Sequence, residues 1–134
     1  MLFRSPEDAA LALEHGCDGV VVSNHGGRQC DGAPSTISVL PAIASILKGR
    51  GTLLFDGGIR RGHDVLKALA LGADACLVGR AWAYGLGAMG EAGVELALRI
   101  LEAGMNSTLG LLGRAGLADL DRTAVDTLDL RLYA

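Results

Sequence analysis

A histidine and an arginine stand three residues apart, directly after a short apolar run of the chain. His25 and Arg28 follow the valines of residues 20–22 and have two glycines between them. A histidine side chain titrates at about pH 6.5 in water, which suits proton abstraction near neutrality. An arginine binds a carboxylate through two parallel N–H bonds. The pair therefore indicates chemistry on a small carboxylic acid that loses a proton next to its carboxylate.

Two further loops combine glycine with arginine in a pattern that favours phosphate binding. Residues 56–60 have the sequence DGGIR, and Gly79 and Arg80 follow the next apolar run. Glycines let backbone N–H groups approach an anion, a following helix N-terminus adds positive potential, and arginine adds a bidentate charge. Glycines that only form tight turns, with arginines in solvent, are the alternative interpretation. Asp56 itself is either a helix N-cap or an acceptor for the hydroxyl groups of a cofactor.

Three repeats of strand, loop and helix must position these residues. Short apolar runs begin at Gly19, Thr52 and Ala75 and end in turn residues, which is typical of parallel strands buried on both faces. Ser5 and Pro6 mark the start of the helix that precedes the first run. Ligands gather at the carboxyl ends of parallel strands. We therefore expect the three loops to lie at one edge of a sheet.

The remaining helices are predicted from apolar periodicity and from their start and stop residues. Pro41 lies inside the second helical pattern, which Ser35 or Thr36 caps, and is expected to kink or restart that helix. A Gly-rich stretch, residues 85–90, separates the last strand from a long helix, and the tail from Asp119 is expected to be extended. The approximate helical ranges after the first helix are 36–47, 62–71, 91–103 and 107–112.

The composition excludes several classes of protein. Half of the 134 residues are hydrophobic and only 4% are aromatic, which is typical of α/β proteins with aliphatic cores. A net charge of -3 provides no electrostatic footprint for nucleic acid or an anionic membrane. Cys17, Cys30 and Cys76 have no metal-ligand spacing, so neither a disulfide framework nor a zinc site is expected. No apolar run approaches the roughly 18 residues of a membrane span. A reducing cytosol is the compartment that this pattern favours.

Three parallel strands alone leave two unpaired apolar edges. We therefore expect residues 1–134 to be the C-terminal segment of a larger α/β domain whose N-terminal half is absent. In (β/α)8 barrels the loops after strands seven and eight frequently form a phosphate site. The strand before His25 would then be the sixth. If the loops at residues 56–60 and 79–80 follow strands seven and eight, the fold is the part of a TIM (β/α)8 barrel that comprises about strands 6–8 and their helices.

Four motifs act together as a family signature. They are SNHGGRQ at 23–29, DGGIRRG at 56–62, DV followed by KALALGA within 64–73, and GR at 79–80. In combination they resemble the FMN-dependent α-hydroxy acid oxidases and dehydrogenases, the group of glycolate oxidase and the lactate and mandelate dehydrogenases. The resemblance runs from about Ser5 to Asp121, and residues 83–94 are most similar to the bacterial lactate and mandelate dehydrogenases.

The resemblance implies a barrel with FMN at the carboxyl ends of its strands and oxidation of a small L-2-hydroxy acid to the 2-oxo acid. His25 matches the family's proton acceptor, and Arg28 matches the arginine that binds the substrate carboxylate. Ser23 matches a residue that contacts the flavin ring. The full set of implied FMN-binding residues is Ser23, Asp56, Gly57, Gly58, Ile59, Arg60, Gly79 and Arg80.

The resemblance also carries expectations about the whole protein. The whole protein is expected to be a homo-oligomer with no nucleic acid partner and with a cytoplasmic or peripheral inner-membrane location. Its electron acceptor is expected to be oxygen, a quinone or a cytochrome. The family's flavin-contacting lysine, substrate-binding tyrosine and histidine-orienting aspartate are not in this chain, so the chain alone is predicted to be inactive. Cys30 replaces the aliphatic residue usual in relatives. The alternatives are another FMN- or phosphate-binding barrel, such as a type 2 isopentenyl diphosphate isomerase or a phosphosugar isomerase, and a non-catalytic half-barrel.

Overall fold

Three strands alternate with helices in the computed structural model, which describes residues 5–47 and 49–125. Short 3₁₀ turns occupy His25–Gly27, Leu117–Asp119 and Arg122–Ala124. The predicted alternation of helices and strands is confirmed as far as the third strand. The sequence leaves room for no more than a stub of a strand before Ser5, and those residues lie outside the described ranges. The elements are α1 (Pro6–Glu14), β1 (Gly19–Val22), α2 (Thr36–Leu47), β2 (Thr52–Asp56), α3 (Gly62–Ala70), β3 (Ala75–Leu77), α4 (Arg80–Met89) and α5 (Glu91–Leu111).

The strands form a parallel sheet in the order β1-β2-β3, as predicted. Val22 pairs with Phe55, and Asp56 pairs with Leu77. All three strands therefore end at the same edge of the sheet. The strand order follows the chain, and right-handed crossovers place the connecting helices α2 and α3 on the same face of the sheet.

Only one face of the sheet is fully buried within the described part of the chain. Alternate residues of β1 and β2 are buried, while the residues between them are only half buried. This differs from the expected burial on both faces, because the helices that connect the strands cover a single face. The buried strand residues are Val20, Val22, Leu53 and Phe55, and they share the core with residues of α2 such as Leu40, Ile43 and Leu47.

The ends of the first two helices test the capping predictions. The Ser5 hydroxyl accepts a hydrogen bond from the Asp8 N–H at 3.0 Å, so the predicted N-cap of α1 is confirmed. α2 continues through Pro41 without the expected restart. Leu40 and Ile43 are fully buried on either side of the proline, and their packing holds both halves of the helix against the sheet.

The segment after β3 is helical where the sequence predicts a Gly-rich connection. Residues 85–89 lie within α4, and only Gly90, with φ +63°, separates α4 from α5. A β-carbon at Gly85 would collide with the backbone of Gly93, and one at Gly93 would collide with the backbone of Gly85. Glycine costs a helix about 1 kcal/mol relative to alanine. The prediction is wrong because local propensity omits this close contact between two helices.

α5 is a single helix of 21 residues, not the two predicted segments. The predicted break contains Gly104, which instead packs against the start of α3. A β-carbon at Gly62 would collide with the backbone of Gly104 and Met105. The glycine thus permits a helix contact and does not end the helix.

The tail is folded back up to residue 125, and the rest of its predicted extension lies outside the described residues. Asp121 accepts hydrogen bonds from the hydroxyl and the N–H of Thr123, and Arg114 lies 3.3 Å from its carboxylate. The Thr123 hydroxyl bond holds the pKa of Asp121 below its usual value. The described tail is therefore only partly extended: Leu120 and Asp121 have an extended backbone, whereas 3₁₀ turns occupy Leu117–Asp119 and Arg122–Ala124.

Within the described ranges, no helix is long and apolar enough to cross a membrane. The same residues contain no group of three or more histidine, cysteine or acidic side chains that could hold a metal ion. Cys17, Cys30 and Cys76 are free thiols. Burial raises the pKa of Cys76 to about 11, so this thiol is protonated near neutral pH.

Candidate functional site at the strand ends

The three predicted loops lie at one edge of the sheet. Ser23 follows the last residue of β1, Asp56 is the last residue of β2, and Gly79 stands two residues after β3. Adjacent strands are about 4.8 Å apart, so the loops after β1 and β3 are separated by roughly 10 Å across β2. The site consequently consists of a central loop flanked by two others.

A side-chain hydrogen bond joins the ends of β1 and β2. The Ser23 hydroxyl donates to Asp56 Oδ2 at 2.5 Å, and Ser23 is only 7% exposed. The N-cap of α3 is Arg61, so Asp56 is not the helix cap that the sequence left open. Asp56 is an acceptor at the strand ends, and its other carboxylate oxygen makes no hydrogen bond to a described residue.

The His25 loop is a short turn with an unusual backbone. His25 has φ +54°, a left-handed conformation in which histidine, asparagine and aspartate are enriched among non-glycine residues. Its N–H donates to Ser23 Oγ at 3.0 Å. Asn24 closes the turn, because its side-chain oxygen accepts from the Gly26 N–H and its carbonyl accepts from the Gly27 N–H. Sequence reasoning missed Asn24, although an asparagine two residues before a glycine is a turn signal.

The side chains of His25 and Arg28 leave the same turn and are both exposed. The Arg28 N–H donates to the His25 carbonyl at 3.4 Å, which keeps the two residues on one turn of backbone. Neither side chain forms a hydrogen bond or an ion pair with another residue of the described ranges. Both are therefore available to a ligand at the carboxyl edge.

The two glycines after β2 have different surroundings although both have positive φ. Gly57 (φ +110°) lies against Thr36 and Asn24, whose side-chain oxygens would be 3.0 and 3.2 Å from an added β-carbon. Gly58 (φ +79°) faces open space instead. Ile59 is buried in the core, so its side chain fixes the loop of residues 56–60 to the rest of the fold.

The N-terminus of α3 already has an anionic partner. Asp64 Oδ2 accepts hydrogen bonds from the Arg60 N–H at 3.0 Å and from the Arg61 N–H at 2.9 Å. Asp64 thus occupies the N–H groups of Arg60 and Arg61 and places a negative charge at the start of α3, which weakens the attraction of this helix terminus for an anion. The exposed side chain of Arg60 is the part of this residue that remains available.

The N-terminus of α4 has no such partner. Gly79 is its N-cap, no side chain caps it, and its first turn contains no acidic residue. An added β-carbon at Gly79 would meet no atom within 4 Å. Arg80, the first residue of the helix, is exposed. Open backbone, a helix dipole and a guanidinium coincide here, so this is the better of the two predicted anion sites.

The chain belongs to the FMN-dependent dehydrogenase family, whose sequence profile matches residues 4–127. FMN is the cofactor of that family. This membership confirms the resemblance in the motifs and favours it over the alternative barrel enzymes. The fold is correspondingly part of a TIM barrel.

Known relatives are similar over nearly all of this chain. It is 48% identical over 120 residues to a 2-hydroxyacid oxidase of Dictyostelium discoideum, with 90% of this chain and 31% of that protein covered. It is 52% identical over 120 residues to an L-lactate dehydrogenase of Xanthomonas axonopodis pv. citri, again with 90% and 31% covered. The chain thus spans about a third of the length of these curated relatives.

Solved structures are likewise similar over most of this chain and cover it with about a third of their own length. The monotopic membrane protein (S)-mandelate dehydrogenase superposes with a TM-score of 0.90 at 43% identity, covering 94% of this chain and 33% of that one. A mandelate oxidase superposes with a TM-score of 0.85 at 45% identity, covering 90% of this chain and 36% of that one.

Proposed function

We propose that residues 1–134 form the C-terminal segment of an FMN-dependent enzyme that oxidises a small L-2-hydroxy acid to the 2-oxo acid. The observation that carries the proposal is the meeting of three loops at one sheet edge. One presents an exposed histidine and arginine, and the other two present glycine backbone and arginine side chains. A carboxylate-binding region thus lies beside an anion-binding region.

The residues at the strand ends fit FMN. The open space at Gly58 and Gly79 leaves room for a ligand against the backbone, and Arg60 and Arg80 supply positive charge for a phosphate. The free oxygen of Asp56 is an acceptor for ribityl hydroxyl groups, and Ser23 lies beside it for the flavin ring. When bound, FMN supplies the two-electron acceptor of the reaction.

His25 and Arg28 divide the work on the substrate. Oxidation of the hydroxyl-bearing carbon to a carbonyl removes two electrons and two protons, and His25 accepts a proton from the substrate. Arg28 binds the carboxylate through its two parallel N–H groups and orients the substrate beside the histidine. The turn that carries both residues keeps proton acceptor and carboxylate clamp together.

The names of the relatives support the substrate class. The relatives include a 2-hydroxyacid oxidase, L-lactate dehydrogenases and an (S)-mandelate dehydrogenase. The acids in these names all have a hydroxyl group on the carbon next to a carboxylate. This is the arrangement that an adjacent base and arginine recognise. We extend the same class to this chain.

The other properties of the whole protein stay predictions. They are a homo-oligomer, an electron acceptor that is oxygen, a quinone or a cytochrome, and a cytoplasmic or peripheral inner-membrane location. The isolated chain with added FMN is predicted not to oxidise lactate or mandelate, because the family's orienting aspartate and flavin-contacting lysine lie elsewhere. Turnover by the isolated chain would contradict that prediction.

The test compares two histidines in the whole protein that carries this chain. His25→Gln is expected to lower kcat for L-lactate or (S)-mandelate by about a thousandfold, the scale of a lost general base. His63→Gln is the control, since His63 lies in α3 and its one ion pair among the described residues is with Asp64. Equal kcat for the His25 variant and the wild type would overturn the proposal. FMN binding, measured by quenching of flavin fluorescence, reports on the cofactor site separately.

A further inference from the structure

Asp56 and Ser23 are brought together by the register of the sheet. Val22 and Phe55 are paired, so the residues that follow them, Ser23 and Asp56, are neighbours across β1 and β2. Ser23 is buried and Asp56 is half-buried, so solvent competes little for their 2.5 Å hydrogen bond.

The same hydroxyl group also binds the backbone of His25. A serine hydroxyl donates one hydrogen bond and accepts up to two. Its hydrogen is directed at Asp56, so its lone pairs accept the His25 N–H at 3.0 Å. The Ser23 side chain has three staggered rotamers, and the bond to Asp56 selects the one in which Oγ reaches His25.

The left-handed backbone of His25 makes this contact important. A non-glycine residue in this conformation is disfavoured, so a local interaction must hold it there. The hydrogen bond from the His25 N–H to Ser23 is such an interaction. Without it, we expect the His25 backbone to leave this conformation, and its side chain to move with it, for part of the time.

We infer that Asp56 is a positioning residue for His25 and acts through the Ser23 hydroxyl. The inference rests on the proposed function, because it gives His25 the proton-transfer role. It also gives Asp56 two tasks on separate oxygens: Oδ2 orients Ser23, and the other oxygen remains for a cofactor hydroxyl.

Hydrogen exchange at the His25 amide tests the inference in the whole protein without added FMN. Ser23→Ala should raise the exchange rate about tenfold, and Asp56→Ala should raise it at least about threefold. Asp56→Asn keeps an acceptor oxygen of the same size, so its rate should stay within about twofold of the wild type. Asp56→Leu, which has no acceptor but fills the space, replaces Asp56→Ala if that variant does not fold.

Asp121→Ala is the matched control. Asp121 also accepts a hydroxyl and an N–H hydrogen bond, but in the tail and from Thr123. Its removal should leave exchange at His25 unchanged. A wild-type rate in Asp56→Ala, or equal rates in Asp56→Asn and Asp56→Ala, would overturn the inference.

Two further measurements separate this inference from the proposed function. At saturating FMN, kcat for L-lactate should fall about tenfold in Asp56→Ala and be rescued in Asp56→Asn. Titration of the wild type with FMN is independent of the exchange experiment. Failure to bind FMN would overturn the proposed function, whereas unchanged exchange at His25 would overturn only the role of Asp56.

Discussion

Glycines at the strand ends and glycines between the helices serve different purposes in this chain. The strand-end glycines, Gly58 and Gly79, face open space, so an added β-carbon there would meet no atom of the described residues within 4 Å. The crossing glycines are Gly62, Gly85, Gly93 and Gly104, and each lies against the backbone of another helix. The first set leaves open space beside the strand ends, whereas the second allows two helices to approach each other closely. The same residue type thus leaves open space in one region, where we propose that FMN binds, and permits a packing contact in the other.

The largest effect is expected at the crossing glycines. Gly93→Ala places a β-carbon against the backbone of Gly85, which has no flexible side chain that could move away. We expect the free energy of unfolding to fall by about 3 kcal/mol, the upper range for overpacking. Urea denaturation of the whole protein measures this change. A loss below about 0.5 kcal/mol would mean that the two helices separate easily, and the comparison would fail.

Gly58→Ala should lower both the free energy of unfolding and the affinity for FMN. Its positive φ costs an alanine about 1–2 kcal/mol. The added methyl group also occupies the proposed ligand space, so FMN affinity should fall at least about tenfold. Gly113→Ala is the control, since Gly113 has φ +66° and open space but lies beyond α5, away from the strand ends. Equal FMN affinities for the two variants would show that Gly58 does not line the FMN site.

Gly79→Ala should lower FMN affinity and leave the free energy of unfolding unchanged. Gly79 has a negative φ of -99°, and nothing lies within 4 Å of an added β-carbon. Unfolding free energy is therefore expected to stay within about 0.5 kcal/mol of the wild type. FMN affinity, from fluorescence titration, should fall about tenfold. Gly116→Ala, in another open loop position, should change neither quantity. Unchanged affinity in Gly79→Ala would place the phosphate elsewhere.

Gly87→Ala should give the smallest change and the opposite sign. Gly87 lies in α4 two residues from Gly85, but an added β-carbon there meets no atom. Alanine favours a helix over glycine by up to about 1 kcal/mol, so the variant should be slightly more stable. Comparison with Gly85→Ala in the same urea experiment isolates the helix contact. Destabilisation by Gly87→Ala would show that α4 does not form as described.

Much of the fold follows from local patterns. The strands and their shared edge were predictable because short aliphatic runs between turn residues specify parallel strands. The helix does not restart at Pro41, and residues 85–89 are helical, because packing overrides local propensity at both places. The Gly62 contact likewise explains why α5 continues through Gly104.

The candidate site was predictable in its location and less so in its internal contacts. Placement of His25 and Arg28 at the carboxyl edge follows from the strand that precedes them. The contribution of Asp64 to the start of α3 was missed, although an acidic residue at the third helical position is a capping signal. The N-cap at Arg61 excludes the helix-cap role of Asp56, and the sheet register, which relates residues 33 positions apart, provides its hydrogen bond to Ser23.

The sequence by itself determined the family, the parallel strands and the loops that carry His25, Arg28 and the arginines, because these depend on motifs and on short-range patterns. Only the tertiary structure decided which helix terminus has no capping side chain, which glycines face open space and which oxygen accepts the Ser23 hydroxyl. Those properties depend on atoms that are distant in the chain and adjacent in space. Hydrogen bonds and steric contacts act over a few ångströms, so they become definite only when the strands and helices are packed.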